Sequence, residues 1–132
     1  MMQYMLDTNI VSHLLREQPA VVRHVTAVPM ASLCLSAITE GELLYGLAKR
    51  PAAKQLHIAV RELLRRVEVL PWNSLAAARY GQGRAALAQR GKTLAPLDLL
   101  IATHALSINA VLVTNDQAMR YVDDLLIEDW TH

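Results

Sequence analysis

Four acidic residues stand where chemistry is possible: Asp7 in "YMLDTNI", Glu42 in "SAITEGELLYG", Asp98 in "PLDLLIATHAL" and Asp116 in "VLVTND". Each ends an apolar run or interrupts one. Three or four carboxylates held close together cannot all stay ionised unless a cation neutralises them, because like charges raise each other's pKa. The matching cation is hard and oxygen-loving, Mg²⁺ or, in its place, Mn²⁺. Zinc is disfavoured, since His13, His24, His57, His104 and His132 show no ligand spacing. A carboxylate-held ion with open positions suits phosphodiester hydrolysis: it binds the phosphate, acidifies the attacking water and offsets charge on the leaving oxygen.

Each acid also has a purely structural explanation. Asp7-Thr8-Asn9 is turn and helix-cap chemistry. Thr39 to Glu42 matches a capping box. Asp98, two residues after Pro96, would favour a helix dipole, and Asp116 could cap the next helix. Capping accounts for one acid per helix, but not for four acids sharing one edge of a fold.

Other chemistries find less support. His104 shares a helical pattern with Asp98 but falls about 240° around it, so the two cannot face one site, and His104 reads as a packing or surface residue. Ser36 lacks a nucleophile elbow. Cys34, the only cysteine, lies inside "LCLS" and reads as a buried strand residue. Gly81-Gln-Gly83 lies in a helical pattern with no strand before it, unlike a phosphate-binding loop.

The elements that must position the acids alternate. Strands are expected at 3–6, 33–36, 67–70 and 110–114, with a short fifth at 125–129. Helices are expected at 10–16, 19–27, 39–48, 52–66 (opened by Pro51), from Asn73 or Ser74 to about Arg90, and from Pro96 to about 107, with Gly91 as a stop. This alternation predicts an α/β fold, a mostly parallel sheet of four to five strands covered on both faces. Ligands of such sheets bind beyond the carboxyl ends of the strands. Asp7, Glu42 and Asp116 follow the first, second and fourth strands, and Asp98 opens the helix before the fourth.

At 132 residues, 53% apolar and 19% charged, the chain is expected to form one domain, residues 1–132, with an aliphatic core, since it contains no Phe. No apolar run is long enough for a bilayer and no secretory signal pattern opens the chain, so a cytoplasmic location is expected. The net charge of +1 is uninformative about a polyanionic partner. Arg50, Lys54, His57, Arg61 and Arg65 recur at helical spacing as one basic stripe, either a solvated face or a contact for nucleic acid.

The segments "MLDTNI", "SAITEGELLYG", "PLDLLIATHAL" and "VLVTND", in this order and spacing, resemble the four signature segments of PIN-domain nucleases, and among them the VapC toxins of bacterial toxin-antitoxin pairs. The resemblance extends over nearly the whole chain, through "GQGRAALAQRGK" and "EDW". It implies a three-layer α/β/α sandwich. It implies that Asp7, Glu42 and Asp98 coordinate metal and take part in catalysis, with Asp116 at a fourth position that is Asn in some members. Thr8, Asn9 and Thr114 match polar positions that order the site. The implied activity is metal-assisted endoribonuclease cleavage of tRNA, in some members the initiator tRNA at its anticodon loop. The implied products carry a 5′-phosphate and a 3′-hydroxyl. The implied partners are a VapB-type antitoxin, a second copy of the chain and the RNA, with Arg50, Lys54, Arg61 and Arg65 as RNA contacts. The alternative is a catalytically silent domain of the same fold that binds RNA or protein.

Overall fold

Five short parallel strands form the sheet: β1 (Tyr4–Leu6), β2 (Leu33–Ser36), β3 (Glu68–Leu70), β4 (Val111–Val113) and β5 (Ile127–Glu128), in the order β3-β2-β1-β4-β5. The computed structural model describes residues 2–132. Every pairing is parallel, so the expectation of four to five mostly parallel strands resolves to five, all parallel.

The helices follow from the same alternation: α1 (Thr8–Leu15), α2 (Pro19–Ala27), α3 (Ala37–Lys49), α4 (Lys54–Arg66), α5 (Ser74–Gln89) and α6 (Pro96–Ser107). Side chains of a strand alternate between faces, and the two halves of the core show it. Met5, Cys34 and Leu112 pack with α5 and α6, whereas Leu6, Leu33, Leu35 and Val113 pack with α1 to α4. The result is a three-layer α/β/α sandwich. A chain without Phe closes its core with aliphatic side chains: Leu, Ile and Val fill both layers, joined by Met5 and Met119 on the α5–α6 side and by Trp130 on the other.

α6 is buried along Ile101 to Leu106. A helix apolar on all sides belongs inside a protein, and α6 is covered by the sheet on one side and α5 on the other. The cover is close. A Cβ added at Gly83 of α5 would meet Thr103 Cγ2 of α6 at 3.2 Å, so the glycine that fails as a phosphate loop serves helix packing instead. α5 ends as its sequence predicts: Gly91 adopts φ +67°, and the Gly91 and Lys92 amides bond to the Ala88 and Leu87 carbonyls at 3.0 and 2.9 Å.

Three boundary expectations are corrected. α1 begins at Thr8 rather than 10, because Asp7 is its N-cap. α4 begins at Lys54 and Pro51 lies in the preceding turn, so proline does not open that helix. The Thr39 capping box does not form: Ser36, the last residue of β2, caps α3 by accepting from the Ile38 amide at 3.1 Å, which leaves Thr39 inside the helix and Glu42 free of capping.

Candidate active site

The chain progresses from β1 to β2 to β3 on one side of the sheet, then crosses to β4 and β5 on the other. The reversal lies between β1 and β4, and there the loops leaving the two strands part in opposite directions and open a crevice. Asp7 is the residue after β1 and Thr114 the residue after β4. Their side chains meet across it, the Thr114 hydroxyl donating to Asp7 Oδ2 at 2.8 Å.

Asp7 is 2% exposed and its carboxylate is fully engaged. Oδ1 accepts from the Thr8 amide at 2.8 Å, so the cap and the site use the same side chain. Asn9 Nδ2 lies 3.3 Å from both Asp7 Oδ2 and Thr114 Oγ1. Thr114 Oγ1 also accepts from the Asp116 amide at 3.0 Å, which ties the position of Asp116 to that of Asp7. Asp116 caps the following 3₁₀ turn through the Ala118 amide at 3.0 Å. Glu42, one and a half turns into α3, accepts the Thr8 hydroxyl at 2.6 Å, and the Thr39 hydroxyl lies 3.3 Å from that of Thr8.

All four acids are close enough to feel one another's charge. Asp98, in the first turn of α6, has its pKa pushed up to about 6, first by burial, then by the charges of Asp7 and Asp116, by side-chain hydrogen bonding with Asp116, and by Glu42. Asp7 is also raised, chiefly by burial, against which the Thr114 and Thr8 hydrogen bonds work, with Glu42 and Asp116 adding repulsion. Among the described residues no three acidic, histidine or cysteine side chains are arranged to grip a metal ion as they stand. The reason is local: Asp7 and Glu42 lean on Thr8 and Thr114 rather than on each other. The donors available are nonetheless all hard oxygens at one sheet edge, the set suited to a hard divalent cation.

The expected polar helpers Thr8, Asn9 and Thr114 thus stand beside the acids. The basic stripe does not hold together in the same way. Arg50 is the C-cap of α3 rather than part of α4. Arg65 is fastened to Glu62 at 2.7 Å on the surface, Lys54 and Arg61 are exposed, and His57 Nε2 lies 2.9 Å from the Arg50 carbonyl oxygen. His104 is a packing residue, 1% exposed, with Nδ1 2.8 Å from Ser36 Oγ; burial lowers its pKa. Burial also pushes the Cys34 thiol up to about 12, which leaves it inert as a nucleophile.

Missed by sequence reasoning was a groove beside Glu42, about 340 Å³, between α1, α3 and α4. Thr8, Ser12, Leu15 and Arg16 recur at helical spacing along one wall, and Glu42, Gly46 and Lys49 along the other. Those two spacings were its only signal.

An all-parallel α/β/α sandwich with acidic residues gathered at its switch point is a metal- or ligand-binding class of domain, and the chain belongs to the PIN-domain family, which matches residues 4–125. It is 35% identical over 132 residues to the tRNA(fMet)-specific endonuclease VapC of Shigella flexneri, covering 99% of this chain and 100% of that one. It is 38% identical over 133 residues to the ribonuclease VapC1 of Haemophilus influenzae strain R2866, covering 98% and 99%. In structure it is similar to the DNA-bound VapBC of Salmonella typhimurium, with a TM-score of 0.91 and 36% identity over 98% of this chain and 99% of that one.

Proposed function

We propose that this chain is the toxin of a type II toxin-antitoxin pair, a metal-dependent endoribonuclease that cleaves tRNA and thereby inhibits translation. The relatives carry the RNA class: a tRNA(fMet)-specific endonuclease and a ribonuclease match it end to end. The observation that carries the chemistry is geometric: Thr8 and Thr114 tie Asp7, Glu42 and Asp116 together at the switch point, and the Asp98 carboxyl beside them is raised to about 6, first by burial and then by the repulsion of these acids. A catalytically silent binding domain would gain nothing from such repulsion, which disfavours that alternative.

Asp7, Glu42 and Asp98 are the residues that would hold Mg²⁺, with Mn²⁺ as substitute, and Asp116 completes the set. When bound, the ion supplies charge neutralisation at the scissile phosphate and a water of lowered pKa. The chain's own residues do the positioning. The Thr8 amide and the Thr114 hydroxyl fix the Asp7 carboxylate, and Thr114 carries that order on to Asp116. Thr8 holds Glu42 ready at the edge of α3, and Asn9 spans Asp7 and Thr114. Lys54 and Arg61 are exposed, Arg50 stands at the far end of the groove that starts at Glu42, and these three offer the RNA backbone its cations; Arg65 is engaged with Glu62.

The partner is a VapB-type antitoxin, as in the VapBC complexes of similar fold, and the chain acts as one domain that pairs with a second copy. Incubating the purified protein with total tRNA and Mg²⁺, with and without EDTA, and mapping the new 5′ ends tests the activity. Asp7→Asn and Asp98→Asn abolish cleavage while leaving the fold intact; unchanged cleavage by both would refute the site.

A further inference from the structure

We propose that the groove between α1 and α3 is a nucleotide subsite, which seats the residue flanking the scissile phosphate with its base on an apolar floor and its backbone phosphate on a basic rim. The proposal deepens the ribonuclease reading and rests on it.

The groove begins inside the acidic site, because Thr8 and Glu42 belong to both. From there α1 and α3 run side by side, and their charge changes along the way. Glu42 stands at the acid end, whereas Arg16, Lys49 and Arg50 stand where both helices finish. Arg16, the C-cap of α1, stands eight residue steps beyond Thr8, about 12 Å of rise. A polyanion whose reacting phosphate is at the acids therefore meets cations as its chain continues down the groove.

Between the two ends the floor is apolar, with Leu56 and Val60 of α4 beneath Leu15 and Leu43. The volume, about 340 Å³, is at the small end of ligand pockets. It holds one nucleotide, not a folded helix of RNA. Gly46 sharpens the case. It sits inside α3, where only proline is less suited to a helix, and a Cβ built on it meets nothing within 4 Å. Gly46 lines the groove, so this space is open at the Cβ position and the fold itself does not require glycine there.

The test is Gly46→Leu, with Lys49→Glu as a charge variant. Binding of a fluorescent single-stranded RNA spanning the mapped cut is read by anisotropy in EDTA, and cleavage of the same RNA is read in Mg²⁺. Gly46→Leu is expected to weaken binding and raise KM by on the order of tenfold to a hundredfold, with kcat and the Mg²⁺-dependent rise in Tm unchanged, the signature of lost uniform binding. Lys49→Glu is expected to flatten the salt dependence of binding by about one phosphate contact. Wild-type binding and KM in a folded Gly46→Leu overturns the subsite. So does a defect confined to antitoxin capture, which would make the groove a protein-docking surface. If the wild type cuts no RNA the ribonuclease reading falls, and anisotropy with a fluorescent single-stranded oligouridylate, wild type against Gly46→Leu, then decides the groove alone.

Discussion

Replacing Asp98 by Asn should make the metal-free protein more stable while destroying its activity. The Asp98 carboxyl is raised from an ordinary 3.8 to about 6 in the fold. A folded pKa above the unfolded one means the native state holds the extra proton between these values, so stability falls as pH rises through the window from about 4 to about 6. Above it the wild type bears the whole penalty, at most about 3 kcal/mol. Asp98 is only partly buried, and solvent screening reduces this to about 1–2 kcal/mol. Asn keeps the shape and can donate to Asp116 without adding charge. Thermal unfolding at pH 7.5 in EDTA should place the variant about 4–8 °C above the wild type. The gap should close by pH 4, where both side chains are neutral. Adding Mg²⁺ should raise the wild type and leave the variant where it was. A variant no more stable at pH 7.5, or a gap that persists at pH 4, would refute the claim that repulsion is stored at this site.

The same titration governs activity: below about pH 6 the ion must displace a proton from Asp98, so cleavage at fixed Mg²⁺ should fall on the acid side and recover with more Mg²⁺, and a flat profile from pH 5 to 8 would count against it. Thr8→Val removes the hydroxyl donated to Glu42; cleavage should drop with little loss of Tm, checked by kinetics and melting side by side. His104→Ala empties a fully buried position and strands Ser36, which should cost about 2–4 kcal/mol in urea unfolding and act on stability before activity. Arg61→Glu, on the exposed face of α4, should weaken RNA binding more at low salt than at high salt, and equal loss at both would remove that helix from the RNA path.

The acids were legible in the sequence because each sits at a junction that local chemistry marks: Asp7 after an apolar strand, Asp98 behind Pro96, Asp116 after "VLVT". The boundaries that misled were contests between equals. Ser36 and Thr39 are both good caps for α3, and Ser36 prevails because it is the residue at which β2 ends, against His104. Pro51 is a good first-turn residue, but the chain needs the turn from Arg50 to Ala53 to leave α3 before α4 can start. The Thr8 to Glu42 bond joins residues 34 apart, and the groove depends on how α1 lies against α3. Neither is written in any local pattern, since both arise only when the helices have docked.

The order in which the acids occur along the chain has a consequence for the cell that makes this protein. The proposed site draws on segments at 7, 42, 98 and 116, and the sheet edge that locates the last is closed by β5 at Ile127–Glu128. A nascent chain that has not reached β4 therefore lacks the proposed site, and so does any fragment cut short before it. Activity would be a property of the closed sheet as a whole, arising only when the last strand has joined its neighbour.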